Sequence, residues 1–233
     1  RQMCIRDRSE MVQFNTLKKL SMNMAQNILR NMKYVCEGYH TKLLLKAVSN
    51  KDAAILVAAG PSLNKNIQML KKAKNRLFIL AVDTAVKPLI KAGIKPDAFI
   101  TIDAKKSPDL IKIDGAETIP VIAPPTAGYK IMERQKAKKI FYYDGYFLPY
   151  SIYFINDKVL PDVSTGGSVA CSGFSLLHKL GYETIILVGQ DLAFTDNKSH
   201  ADGTFEEKMP VMDTEGMETV SYTHLTLPTN SLV

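Results

Sequence analysis

Glycine and polar residues follow the short apolar runs of this sequence, and the first such turn has the chemistry of an anion site. After the run ending at Ala59 come Gly60, Pro61, Ser62 and Leu63. Gly60 permits close approach of a ligand, Pro61 presets a helical turn, and Ser62 offers a hydroxyl and an N–H at the positive end of that helix. The turn suits a phosphate, or Ser62 is only a helix cap. It matches neither GxGxxG nor GxxxxGK(S/T), so neither an NAD site nor a P-loop kinase is indicated.

A second turn of this kind lies in the stretch STGGSVACSGFSLL. We expect Ser164 or Thr165 to cap a helix there, with Gly166, Gly167 and Ser168 exposing its N-terminal amides. Two such helix starts in one sheet could hold a phosphate at one and a carboxylate or a sugar at the other. The alternative is a glycine-rich turn that only lets the helix pack closely.

Three aspartates each follow an apolar run, which predicts three carboxylates around one crevice. Asp83, Asp103 and Asp191 could orient ribose hydroxyls, or hold or activate an acceptor hydroxyl. Neither an Asp-x-Asp pair nor a His/Asp cluster with metal-ligand spacing is present, so the sequence predicts no dedicated metal site. The structural alternative, an Asp that caps the next helix, is strongest for Asp83.

One histidine is placed where a general base would be expected. His200 lies in the polar loop TDNKSHADGT, which follows Gln190 and Asp191 at the end of the last apolar run. A flexible loop at that position could close over a ligand and bring an imidazole to it. An ordinary surface histidine is the alternative interpretation.

The pattern of apolar and polar residues along the chain predicts the strands and helices that position these residues. Six apolar runs alternate with helical stretches: AAILVAA, LFILAV, DAFITI, PVIAP, KIFYY and TIILVG. Strands that are apolar throughout are typical of a parallel sheet covered on both faces. We therefore predict an α/β fold with a doubly wound, Rossmann-like, mostly parallel sheet, preceded by a helical lead-in at residues 9–50. Ligands of such sheets bind beyond the carboxyl ends of the strands.

Composition narrows the class of protein. With 233 residues, 46% of them hydrophobic, the chain can build one main core. The formal charge is +7, but the lysines are scattered, so no nucleic-acid surface is predicted. No apolar run approaches the roughly 18 residues of a membrane span. Three cysteines without CxxC spacing indicate neither disulfides nor zinc, which fits a cytoplasmic protein.

Both ends of the sequence are predicted to be foreign to the domain. Residues 1–8 and 220–233 show no period that continues into their neighbours, and they resemble sequencing-adapter read-through. The predicted organisation is therefore an artefact at 1–8, the helical lead-in at 9–50, the Rossmann-like domain at 51–219 and an artefact at 220–233.

Four segments together resemble a known family: VAAGPSLNKNIQMLKK, AVDTAVKPLIKAGIKPDAFITIDA, STGGSVACSGFSLLHKLGYETIILVGQDLAFTDNKSHADG and VMDTEGMETV. In order and spacing, from about Asn27 to Val220, they look like the central domain of the motility-associated factor (Maf) glycosyltransferases, a family also called 6-hydroxymethylpterin diphosphokinase MptE-like. The resemblance implies a bacterial enzyme that moves a nonulosonic acid, such as pseudaminic or legionaminic acid, from a CMP-activated donor to Ser or Thr of flagellin. The Gly-Pro-Ser-Leu turn also resembles, more faintly, that of bacterial sialyltransferases.

The resemblance also implies roles for the residues singled out above. Gly60 to Leu63 would frame the phosphate, Asp83 and Asp103 would line the nucleotide pocket, and Thr165 to Ser168 would bind phosphate or carboxylate. Gln190 and Asp191 would face the sugar or the acceptor, and His200 would be the base of a single inverting displacement. No metal would be obligatory.

Two other functions stay open. The first is a 6-hydroxymethylpterin diphosphokinase, which would use ATP and magnesium with Asp83, Asp103 and Asp191 as metal ligands. The second is a non-enzymatic module that binds flagellin or its chaperone. Maf proteins carry further domains on both sides, so the resemblance leaves open whether this part alone transfers a sugar.

Overall fold

The computed structural model of the chain describes residues 2–41, 44, 53–74, 76–136, 140–142, 163, 168–191 and 198–204. Within this part, one seven-stranded sheet forms, and all its strand pairs are parallel. The strands are β1 (Tyr39–His40), β2 (Ala53–Val57), β3 (Phe78–Val82), β4 (Ala98–Ile100), β5 (Val121–Ala123), β6 (Ile140–Tyr142) and β7 (Thr184–Val188). The α-helices are α1 (Gln2–Glu37), α2 (Leu63–Ala73), α3 (Val86–Lys91), α4 (Tyr129–Arg134) and α5 (Val169–Lys179). The predicted α/β parallel fold is confirmed.

The strand order decides where a ligand can bind. Across the sheet the strands run β1-β6-β5-β4-β3-β2-β7. From β2 the chain steps through β3, β4 and β5 to β6, and β7 then returns to the other side of β2. The winding therefore reverses between β2 and β7. The crevice beyond the carboxyl ends of these two strands is the switch point at which doubly wound sheets bind ligands.

The central strands β2 and β3 are buried as their apolar sequences predict, but the edge strand β7 is more exposed. All five residues of β3 and four of the five in β2 are buried. In β7, Ile186 and Leu187 are 42% and 51% exposed. An edge strand has one neighbouring strand instead of two, so its side chains have fewer neighbours to pack against. The expectation of strands covered on both faces therefore does not hold for β7.

The N-terminal segment combines a long helix with an additional strand. The predicted helical lead-in is confirmed as α1, but β1 lies within the segment predicted to be helical and pairs with β6. Gly38 makes this change possible, since a Cβ there would lie 2.5 Å from the carbonyl oxygen of Tyr34 and 2.8 Å from that of Ile140. No helix in the described ranges is long and apolar enough to cross a membrane.

The predicted foreign ends have different positions relative to these elements. Residues 2–8 form the first turns of α1, continuous with the helix that follows. Residues 220–233 lie outside the described part. The origin of both ends, and the domain boundaries drawn from them, stay predictions.

The contrast between β2 and β7 can be tested with one substitution at two paired positions. Ile55 and Ile186 face each other in the register of these strands, but only 3% of Ile55 is exposed. We expect Ile55→Ala to lower the free energy of unfolding by about 2–5 kcal/mol, because it leaves a cavity in the core. Ile186→Ala should cost much less. Urea denaturation measures both, and equal losses would show that β7 is as well packed as β2.

Candidate functional site

The carboxyl ends of β2 and β7 stay paired beyond the last residues of either strand. Ala58 N–H donates to the carbonyl oxygen of Val188, and Gly60 N–H donates to that of Gly189, both at 2.8 Å. Gly189 has a φ of +69°, a backbone conformation that L side chains rarely adopt. A glycine at this position therefore lets β7 end in a sharp turn against β2.

Asp191 bonds directly to the turn after β2. Its Oδ2 atom accepts a hydrogen bond from the Ser62 N–H at 3.0 Å and another from Ser62 Oγ at 2.7 Å. A Cβ at Gly60 would overlap the Asp191 carboxylate and lie 2.6 Å from the Gly189 carbonyl oxygen. The absence of a side chain at Gly60 therefore makes room for the protein's own carboxylate.

The backbone N–H groups that the sequence predicts as phosphate ligands already have hydrogen-bond partners within the protein. Besides the Ser62 N–H, the N–H groups of Leu63, Asn64 and Lys65 bond the carbonyl oxygens three residues earlier, at 3.0 to 3.1 Å. Ser62 makes no side-chain cap bond to α2, because its hydroxyl binds Asp191. A phosphate at Gly60-Pro61-Ser62-Leu63 would have to take the place of the Asp191 carboxylate. The role predicted for the turn stays a prediction.

The second predicted helix start has a different cap from the one expected. Helix α5 begins at Val169, and Ser168 Oγ accepts the Cys171 N–H at 3.1 Å. The prediction that Ser164 or Thr165 caps this helix is therefore wrong. Several Ser and Thr residues precede the apolar stretch, and the backbone places Ser168 at the capping position. Thr165, Gly166 and Gly167 lie outside the described residues.

Asp83 is a buried carboxylate at the end of β3. It begins a short 3₁₀ helix, is 1% exposed, and accepts the Thr84 N–H at Oδ1 and the Thr101 hydroxyl at Oδ2, both at 2.7 Å. Lys106 Nζ lies 3.9 Å from Oδ1. Burial raises the pKa of Asp83 above its ordinary value, while the positive charge of Lys106 and the two hydrogen bonds oppose that rise. Asp83 therefore faces protein donors rather than open solvent.

Asp103, after β4, is exposed and supports its own loop. Its Oδ1 atom accepts the Lys105 N–H at 3.0 Å, and its carbonyl oxygen accepts the Gly128 N–H at 3.1 Å. Together with the contacts of Asp83 and Asp191, this gives each of the three predicted acids an internal partner. In the described part of the chain, no three His, Cys, Asp or Glu side chains are grouped as metal ligands. The ligand set that a magnesium-dependent kinase would need from these acids is not assembled there.

The segment at residues 198–204 lies against the turn after β2. The Ala201 N–H donates to the Ala59 carbonyl oxygen at 2.8 Å, and the Asp202 N–H donates to Asn64 Oδ1 at 3.1 Å. His200 is half-buried, and its Nδ1 is 3.0 Å from Ser199 Oγ. The structure therefore brings the predicted base beside the Gly60 turn.

Gln190 presents an unused acceptor at the same place. Its Oε1 atom is buried and has no hydrogen-bond partner among the described residues. A buried amide oxygen without a donor costs free energy, so such an atom is commonly satisfied by water or by a ligand. Gln190 was predicted to face the sugar or the acceptor, and its position next to Asp191 is compatible with that role.

Two asparagines on α1 hold the neighbouring loops, and the sequence interpretation missed them. Asn27 Nδ2 donates to the carbonyl oxygens of Ala104 and Thr126, each at 2.9 Å. One turn later, Asn31 Nδ2 donates to those of Pro125 and Ala127, also at 2.9 Å. One sequence feature could have identified them: two asparagines lie four residues apart on the helix face that also carries Val35. A buried side-chain amide on such a face must find hydrogen-bond partners, which here are backbone carbonyls.

Comparisons with known proteins agree with this architecture. The family model described as 6-hydroxymethylpterin diphosphokinase MptE-like matches residues 26–197. An uncharacterized protein of Treponema pallidum (strain Nichols) is 35% identical over 78 residues, which cover 34% of this chain and 36% of that protein. A solved Maf glycosyltransferase from Magnetospirillum magneticum AMB-1 superposes with a TM-score of 0.51 at 21% identity, over 61% of this chain and 23% of that one. At this identity the superposition shows a shared fold. The chain spans about a quarter to a third of these two relatives.

The close fit around Gly60 predicts a strong effect of a single methyl group. We expect Gly60→Ala to lower the free energy of unfolding by about 3 kcal/mol or more, because the new Cβ meets a carboxylate and a backbone carbonyl. Gly93→Ala is the control: Gly93 has a φ of +75° and open space around it, so only left-handed strain of about 1–2 kcal/mol applies. Thermal or urea unfolding measures both. A smaller loss for Gly60→Ala than for Gly93→Ala would contradict the described packing of Asp191.

Proposed function

The chain belongs to the 6-hydroxymethylpterin diphosphokinase MptE-like family, and from that premise we propose that it contains the donor-binding domain of a glycosyltransferase. The donor would be a CMP-activated nonulosonic acid and the acceptor a Ser or Thr hydroxyl of flagellin, modified in the cytoplasm. The fold shared with the Magnetospirillum glycosyltransferase supports the transferase class. The sugar, the acceptor and the compartment are proposals that rest on the resemblance of the sequence segments quoted above.

One observation carries the proposal: residues 59–62 bind both the end of β7 and the segment with His200. Ser62 bonds Asp191, and Ala59 bonds Ala201, the neighbour of His200. Asp191, the segment that carries His200, and Gln190, whose Oε1 atom is buried without a hydrogen-bond partner among the described residues, therefore all lie next to the turn after β2, at the switch point of the sheet. These residues could supply a proton acceptor for the acceptor hydroxyl and a polar contact for the sugar, as transfer of a sugar from a phosphate to a hydroxyl requires.

The proposed reaction is a single displacement at the anomeric carbon. The acceptor oxygen forms the new bond to that carbon while the bond from the carbon to the phosphate oxygen breaks, and CMP leaves with the electron pair. His200 takes the proton of the acceptor hydroxyl. The phosphate of CMP is already a stable anion, so the leaving group needs little protonation.

The family description favours a second candidate, a diphosphokinase acting on a hydroxymethylpterin. That reaction transfers a diphosphate from ATP and relies on magnesium to neutralise the phosphates. Asp83, the most buried of its three expected ligands, already binds Thr84 and Thr101, and Asp191 binds Ser62. Among the described residues, these carboxylates already have protein partners and do not form the magnesium site of that reaction. For this reason we place the transferase first.

Nucleotide binding separates the two candidates. In a calorimetric titration without added magnesium, we expect the 233-residue chain to bind CMP saturably. The proposed sugar donor carries a single phosphate, so no metal ion is needed to neutralise neighbouring phosphates. ATP with magnesium should bind weakly or not at all. Binding of ATP that requires magnesium, with no response to CMP, would contradict the transferase proposal and favour the diphosphokinase.

His200 is tested by release of CMP from a CMP-activated nonulosonic acid supplied with flagellin. The His200→Ala variant should release CMP about 10²-fold or more slowly than the unmodified chain while keeping its affinity for CMP, since a general base acts on the acceptor proton. His178, an exposed histidine on α5, provides the matched control, His178→Ala. Equal rates for all three proteins, each above the rate without protein, would exclude His200 as the base.

A further inference from the structure

Two hydrogen bonds of different kinds hold the segment that carries His200 at the turn after β2. One joins backbone groups: the Ala201 N–H donates to the Ala59 carbonyl oxygen at 2.8 Å. The other uses a side chain, since the Asp202 N–H donates to Asn64 Oδ1 at 3.1 Å. Asn64 lies in the first turn of α2, and it was not among the residues predicted to form the site.

We propose that Asn64 is a positioning residue, whose amide oxygen keeps the segment at residues 198–204, and with it His200, beside the turn after β2. This inference rests on the proposed function, in which His200 takes the proton of the acceptor hydroxyl. Asn64 acts through the segment and not on the reacting atoms. A base accepts a proton only when it is held within hydrogen-bond reach of the hydroxyl, so the position of the segment affects the rate.

The contacts of Asp202 connect Asn64 to both sides of His200. Asp202 bonds Asn64 with its N–H, and its Oδ1 atom binds Lys198 Nζ at 2.6 Å. His200 lies between these two bonded residues. Ala201, which directly follows His200, is fully buried. The backbone on either side of the imidazole is therefore tied to α2 through one side-chain oxygen.

The start of α2 binds both segments of the candidate site. Ser62 bonds Asp191 at the end of β7, and Asn64, two residues later, bonds Asp202. One helix start therefore sets where the end of β7 and the segment with His200 lie. Asn64 itself is exposed, so its replacement should change the position of the segment more than the stability of the fold.

The first test measures the rate of the proposed transfer in variants of the full chain. With flagellin and saturating CMP-pseudaminic or CMP-legionaminic acid, Asn64→Ala should release CMP about 2–10-fold more slowly, the range that one neutral hydrogen bond provides. Its affinity for CMP should be unchanged. Asn64→Asp keeps an oxygen acceptor for the Asp202 N–H and should recover most of the rate. Gln68→Ala, at another exposed position of α2, is the matched control and should react as fast as the unmodified chain.

Amide hydrogen exchange tests the anchoring without any substrate. The Ala201 N–H bonds a backbone carbonyl that Asn64→Ala leaves intact, so its exchange speeds up only if the segment itself is released. We expect the Ala201 amide to exchange about 2–10-fold faster in Asn64→Ala. Its exchange should be unchanged in Asn64→Asp and in Gln68→Ala.

The two measurements separate failure of this inference from failure of the proposed function. Faster Ala201 exchange in Asn64→Ala, in a chain that releases no CMP even when unmodified, would contradict the transferase and still support Asn64 as the anchor of the segment. Unchanged Ala201 exchange in Asn64→Ala would overturn the inference. So would an unchanged transfer rate, a loss that Asn64→Asp does not recover, or an equal loss in Gln68→Ala.

Discussion

The hydrogen bonds of the Asp191 carboxylate to Ser62 join two segments 129 residues apart, and the geometry of the candidate site depends on them. The parallel ladder aligns β2 with β7, but a ladder alone does not fix the turns that follow the strands. Asp191 fixes them by accepting both donors of Ser62 at the positive end of α2. Gly60 and Gly189 are the conditions for this contact, because a side chain at either position would occupy the space that the opposite turn uses.

The bonds between Asp191 and Ser62 also affect where an anionic ligand can bind at the carboxyl edge of the sheet. A helix start whose amides are open attracts a phosphate, whereas one that already binds a carboxylate is electrostatically satisfied. Positive charge for a ligand must then come from elsewhere or from displacement of Asp191. On the loop after β4, Lys106 lies 3.9 Å from the buried Asp83. Helix α1 contributes by holding that loop and the loop after β5 through Asn27 and Asn31, and the family match, which begins at residue 26, includes both asparagines.

Much of the fold was predictable from local sequence, because strands that are apolar throughout and the turns between them are local signals. The six strands predicted from apolar runs, the helices between them and the position of the polar turns at one edge all follow from periods of a few residues. Contacts between distant residues did not follow. Nothing near Ser62 indicates that its partner is Asp191 rather than a ligand, and nothing near Asp83 indicates Thr101 and Lys106. The two-residue strand β1 was missed because it is too short to show a period, and the Ser168 cap because three candidates preceded the same helix.

A double-mutant cycle on Ser62 and Asp191 tests the central claim most directly. The unfolding free energies of the unmodified chain, Ser62→Ala, Asp191→Ala and the double variant give the coupling between the two side chains. The short bond between Ser62 Oγ and Asp191 Oδ2 predicts a favourable coupling of about 0.5–3 kcal/mol. Losses that add to within about 0.3 kcal/mol would contradict the account, because the turns after β2 and β7 would then be held by something other than this pair.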